Sequence, residues 1–145
     1  MLLDNGSFQN GRGGAGTATL EIKCNESVTQ SGTSGTQFFA NRAVVRKSAG
    51  TGQFFFGVPY LNSGATFIES GSIGLSTGTT LEAGAANSRL FQIEANGALY
   101  FNGGPYVLDV ATIRGAGPAV INQAGDRKST RLNSSHVSES RMPSS

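Results

Sequence analysis

The chain has 145 residues, 21 of them glycine, with one cysteine, no tryptophan and a formal net charge of +2. That length suits one domain, and the 37% of hydrophobic residues are too many and too regularly placed for a disordered chain. No run is long and apolar enough to span a bilayer, and Met1-Leu2-Leu3 meets Asp4, Asn5 and Gly6 at once, so no secretory leader core is read there.

In chain order, Asn5–Gly16 (NGSFQNGRGGAG) reads as a glycine-rich turn region. Its Gly11–Gly16 string brushes against a phosphate-loop pattern. That reading fails because such a loop needs a strand before it and a helix after it, whereas Thr17–Cys24 continues as a strand. Leu20, Ile22 and Cys24 alternate with Thr19, Glu21 and Lys23, so one face is apolar and one is wet. The parity places Cys24 inside as an inert thiol. Being alone, it supports no intramolecular disulfide. Ser31–Thr36 is a loop, and Phe38 and Phe39 open the next turn of chain.

The stretch Val45–Gly78 sets the pattern. Thr66 and Ile68 share one parity. After Ser70-Gly71, Ile73 and Leu75 alternate with Ser72, Gly74 and Ser76. A period of two, with small polar residues between, is a strand signal. The glycine between the runs marks a corner. Two strands and a corner, repeated, spell one coil of a parallel β-solenoid. Phe91 and Ile93, then Leu99 and Phe101 after Asn96-Gly97, repeat it, and Ile113 and Ile121 follow. Pro59, Pro105 and Pro118 fall at run edges, where a missing N–H does least harm. The predicted interior is Leu20, Ile22, Val45, Phe54, Phe56, Ile68, Ile73, Leu75, Phe91, Ile93, Leu99, Phe101, Ile113 and Ile121, with Glu69 and Glu94 outside.

The C-terminal stretch stands apart. Asp126–His136 (DRKSTRLNSSH) and Ser140–Ser145 (SRMPSS) resemble the translation, in one frame, of a short-read sequencing adapter, with Val137, Ser138 and Glu139 where the adapter carries its variable index. Residues Asp126 to Ser145 are therefore expected to be a non-native, disordered tail outside the functional reading. Setting aside Arg127, Lys128, Arg131 and Arg141 with Asp126 and Glu139 leaves seven basic and seven acidic residues. A neutral body gives no charge argument for nucleic acid.

From about Asn41 to Gly125 the chain resembles the repeats of bacterial autotransporter and adhesin-type surface proteins. Val45–Gly52 answers to their "N-G-x-L-x-K-x-G-G-T-G", Asn62–Leu75 to "N-S-G-T-V-x-V-x-S-G-T-L-x-L", and Ala95–Gly104 to "A-G-A-x-L-x-F-x-G-G". Ile113–Gly117 looks like "I-x-G-A-G". Phe54-Phe55-Phe56 and Tyr60-Leu61 depart from the pattern. The resemblance implies a passenger segment at the cell surface or secreted, with surface glycans or a host or neighbouring cell surface as partners.

The expected fold is an all-β, right-handed parallel β-helix (β-solenoid) fragment over residues 1–125, with a poorly ordered glycine-rich start at 1–16. No catalytic, cofactor-binding or metal-binding residue is assigned, and no cofactor. With the only histidine, His136, in the excluded tail, neither a Ser-His-Asp arrangement nor a common zinc site can be built. The carboxylates Glu69, Glu82, Glu94 and Asp109 sit on different coils. The expected role is a structural or adhesive, non-enzymatic segment of a larger surface protein, bonded to neighbouring coils of its parent, without membrane insertion or nucleic acid. The alternative is part of a β-helical carbohydrate-active enzyme of the polysaccharide lyase or tailspike type, which aligned carboxylates on one sheet would favour.

Overall fold

A computed structural model describes residues 2–4, 7–11, 18–31, 37–75, 90–102 and 112–122. Glu82, Pro105, Asp109 and the tail from Asp126 lie outside the described residues, as does Arg89. Fourteen strands run in chain order: β1 (Leu2–Asp4), β2 (Phe8–Asn10), β3 (Thr19–Ile22), β4 (Ser27–Ser31), β5 (Phe39–Asn41), β6 (Val44–Lys47), β7 (Gln53–Gly57), β8 (Tyr60–Asn62), β9 (Ala65–Ile68), β10 (Gly71–Leu75), β11 (Leu90–Ile93), β12 (Gly97–Asn102), β13 (Thr112–Gly115) and β14 (Ala119–Asn122).

Every pairing is parallel and joins one coil to the next, so the chain is an all-β parallel solenoid. One sheet has six strands in the order β1-β4-β7-β10-β12-β14, a second has five, β13-β11-β9-β6-β3, and a third has three, β2-β5-β8. Three successive coils, β1–β3, β4–β6 and β7–β9, thus contribute a strand to each sheet.

The expected coil of two strands is corrected to one of three in the coils β1–β3, β4–β6 and β7–β9. The third sheet was missed because its strands are three residues long, FAN and YLN among them, too short for a period of two to declare itself. Within the glycine-rich start, Phe8–Asn10 is a strand paired with Phe39–Asn41, and Leu2–Asp4 is a strand paired with Thr29–Ser31, while residues 12–16 lie outside the described residues.

Parallel register turns the period-two pattern into columns of inward side chains, with a step of ~4.8 Å per coil. On the six-stranded sheet Phe54, Ile73, Leu99 and Ala119 form one column, and Val28, Phe56, Leu75, Phe101 and Ile121 the next. On the five-stranded sheet Leu20, Val45, Thr66, Phe91 and Ile113 stack. The expected core is buried throughout, except that Leu20 and Ile121 are only partly covered. A coil cannot bury its own apolar face, so its stability comes from the coils on either side.

Aromatic rings bind the three sheets together. Phe8, Phe39 and Tyr60 stack along the three-stranded sheet, with centroids 4.9 and 5.6 Å apart. Phe56 meets both Phe39 and Tyr60 from the six-stranded sheet. Of the residues that depart from the adhesin-type pattern, Phe54, Phe56 and Tyr60 help to fill the interior, while Phe55 and Leu61 are only half covered.

The Tyr60 hydroxyl is fully buried and lies 2.7 Å from Thr66 Oγ1. Burial raises its pKa far above the ordinary phenol value. The unfolded phenol ionises near pH 10, while the folded one stays protonated. Above that pH the unfolded chain sheds the proton first, so stability falls with rising pH, by up to ~1.4 kcal/mol per pH unit. Lys47 acts with the opposite sign. Its desolvated ammonium has a lowered pKa, so stability rises with pH until the unfolded lysine also deprotonates. Tyr60→Phe is expected to remove the alkaline loss, measured as the difference between the urea stabilities of the two proteins from pH 8 to 11.5. A constant difference across that range would contradict it.

Candidate functional site

The corner between the five- and six-stranded sheets carries the most chemistry. At its hinge Gly52, Gly71, Gly97 and Gly117 stand one above another in register. Gly71 needs its hydrogen twice over. Its φ is +67°, and a Cβ there would lie 2.3 Å from Gly50 O and 2.4 Å from Gly52 O. A Cβ on Gly97 would lie 2.2 Å from Ile68 O. The backbone therefore turns too tightly for any side chain, and the outer surface of the corner is left low.

Inside the corner is Lys47, which sequence reasoning did not place. It occupies the inward column Ile22, Lys47, Ile68 and Ile93, and it is completely buried. Its Nζ donates to Ala49 O at 2.7 Å, Gly50 O at 3.0 Å and Cys24 O at 3.3 Å, and reaches Asn25 Oδ1 at 3.4 Å. Asn25 Oδ1 also accepts from Gly52 N. Lysine and asparagine together tie the turn after β3 to the turn after β6. Shared parity with Val45 pointed Lys47 inward, but the carbonyl cradle that makes burial tolerable exists only once two turns are stacked.

Cys24 lies in the first of these turns and is exposed, correcting its expected burial. The strand stops at Ile22, so the alternation that held for Leu20 and Ile22 no longer applies two residues on. Glu94 is exposed as expected. Glu69 is only half exposed, because Arg46 pairs with it and lies over the Phe67 ring. Register sets Glu69 and Glu94 on adjacent coils, but each is engaged, Glu69 by Arg46 and Glu94 by Gln92 Nε2 at 3.0 Å. Glu21 accepts from Ser48 Oγ and pairs with Lys23, which together lower its pKa. Among the described residues there is no group of three or more His, Cys, Asp or Glu able to hold a metal ion, and no helix long and apolar enough to cross a membrane.

Outside the corner, an open groove of about 530 Å³ runs across three coils. Its floor is the low ground of Gly71, Gly97 and Ala98. Thr51, Ser70, Ser72 and Asn96 bring hydroxyls and a carboxamide to it, and Tyr100 a partly exposed ring. Tyr100 faces Gly74 across the strand pair, and the side chain over that glycine is the Gln53 carboxamide. Among the described residues, the side chains of Thr51, Ser72, Asn96 and Tyr100 have no hydrogen-bond partner. Among the described residues no charged side chain lines the groove. Such a surface offers donors, acceptors and one apolar face.

A third polar feature lies where the three-stranded sheet meets the five-stranded one. Asn10, Asn41 and Asn62 form a buried ladder, Asn10 Nδ2 donating to Asn41 Oδ1 at 3.0 Å and Asn41 Nδ2 to Asn62 Oδ1 at 2.9 Å. Each carboxamide also reaches the carbonyl that opens the five-stranded-sheet strand of the following coil, Val44 O, Ala65 O or Leu90 O. The ladder is architectural. No family model matches the chain, and neither a curated protein nor a solved structure does.

Proposed function

We propose that the chain is a structural, adhesive segment of a larger surface-exposed or secreted protein, in which stacked coils form a rod that displays its outer sheet faces. The observation that carries this reading is the continuity of the columns. Inward apolar side chains, corner glycines and asparagines each repeat from coil to coil, so every coil serves as the template for the next. Among the described residues, Glu21, Glu69 and Glu94 are tied into pairs and bonds with their neighbours, which supports a scaffold more than the lyase or tailspike alternative. The resemblance to autotransporter and adhesin-type repeats agrees with it and supports a position outside the cell, with surface glycans or a neighbouring cell surface as the proposed partners.

The test is the source locus, sequenced through both ends of this chain. A secretion signal upstream and a membrane barrel or anchor downstream, with further repeats between, is the expected result. A locus encoding a cytosolic protein, or one whose adjoining coils complete a cluster of carboxylates, would overturn the reading. The same sequence tests the tail, since the natural continuation beyond Gly125 is expected to differ from residues 126–145.

A further inference from the structure

We infer that the groove across the corner glycines is a binding site for a neutral glycan chain, with Tyr100 as its stacking platform. This rests on the adhesive reading above and names its ligand class and its residues. The donor set argues for the class. Thr51 and Ser72 hydroxyls and the Asn96 carboxamide each both donate and accept, which suits the hydroxyls of a sugar better than an anion or a cation. Among the described residues no charged side chain lines the groove, so its described lining offers nothing to neutralise a uronate, a sulfate or a phosphate.

The geometry argues for a chain rather than a single ring. Thr51, Ser72 and Tyr100 come from three consecutive coils, and the register moves each two residues further along the strand direction than the last, so the polar groups run diagonally across the coils. The groove is open along that direction because glycine or alanine holds its floor on the last two of these coils. A sugar ring laid on the Tyr100 face covers apolar C–H surface and leaves its hydroxyls pointing at Ser72 and Asn96, where amphipathic aromatic side chains serve best. Gln53 pairs with Ser72 and lies beside Gly74, the residue that faces Tyr100. A Cβ on Gly74 would lie 2.7 Å from Gln53 Cδ, which shows the carboxamide folded over that glycine.

The experiment is isothermal titration of the full chain with cellohexaose, maltohexaose and chitohexaose, and with a polygalacturonate hexamer as the charged counterpart. At least one neutral hexasaccharide is expected to bind at or below millimolar concentration, and the polygalacturonate not to. Tyr100→Ala is expected to weaken that binding about tenfold or more, while Tyr100→Phe stays within about threefold. Asn96→Ala, in an exposed turn away from the core, is expected to weaken it as well, and serves if Tyr100→Ala does not fold. No binding of any neutral hexasaccharide at about 10 mM, preference for the polygalacturonate, or unchanged affinity in folded Tyr100→Ala and Asn96→Ala would overturn the proposal. A far-UV spectrum and melting curve on each protein separate the two readings. A groove that binds nothing on an intact β-rich chain defeats the site and leaves the scaffold standing, whereas a wild-type chain lacking the β spectrum defeats both.

Discussion

Replacing Asn41 with alanine is expected to cost about 3–5 kcal/mol, several times the effect of the same change at Asn10. Asn41 is the middle rung of the asparagine ladder and is fully buried. Its carboxamide accepts from Asn10 Nδ2 and from Ala43 N, and donates to Asn62 Oδ1 and Ala65 O. Alanine leaves all four of those groups short of a partner in a place water does not reach, and each such loss carries ~1–3 kcal/mol before relaxation. Asn10 sits at the end of the ladder. Removing it takes the Asn10–Asn41 bond and the bond to Val44 O, yet Asn41 Oδ1 keeps its partner at Ala43 N. About 1–2 kcal/mol is expected there. Urea unfolding of the two variants measures the gradient. Equal losses, or less than ~1 kcal/mol at Asn41, would mean that the carboxamides do not stack as described.

The second large effect is at Phe56. Phe56→Ala is expected to destabilise by about 3–5 kcal/mol, the usual range for emptying a buried phenylalanine site. The ring is completely buried and lies 4.6 Å from Tyr60, 4.9 Å from Phe39 and 5.2 Å from Phe54, centroid to centroid. These neighbours come from all but one of the sheets, so a cavity there loosens two coils at once. Phe55, one residue earlier, faces outward and is half covered. Phe55→Ala is expected to cost ~1 kcal/mol or less. The pair reads out the register, because a strand slipped by one residue exchanges the two faces. Similar losses from both substitutions would contradict the parity described for β7.

The sequence made the two larger sheets readable and the smallest one opaque, for a physical reason. Strands of four to six residues such as Ala65–Ile68, Gly71–Leu75 and Gly97–Asn102 give the alternation room to repeat, and Ile68, Ile73, Leu75, Ile93, Leu99 and Phe101 are buried where that alternation puts them. The three-residue strands pair one aromatic with one inward asparagine, and asparagine between short runs normally signals a turn. The usable signal was positional. Asn41 stands three residues before Val44 and Asn62 three before Ala65, at the start of successive paired strands. Cys24 shows the converse error, a parity carried past the end of its strand. The groove was hidden for a third reason. Thr51, Ser72 and Tyr100 are remote in sequence and meet only through the coil-to-coil register, which no single window contains.

That register is also what a single distance can test. Ser27, Phe55, Gly74, Tyr100 and Val120 form one outward column along the six-stranded sheet. Spin labels at Ser27→Cys and Val120→Cys, in a protein carrying Cys24→Ser, are separated by four inter-strand steps, or ~19 Å along the solenoid axis. Pulsed dipolar spectroscopy is expected to give one narrow distribution centred near that distance, widened only by the label linkers. A broad distribution extending well beyond ~40 Å, the radius of gyration of an unfolded chain of this length, or a sharp peak far from ~19 Å, would contradict the parallel solenoid.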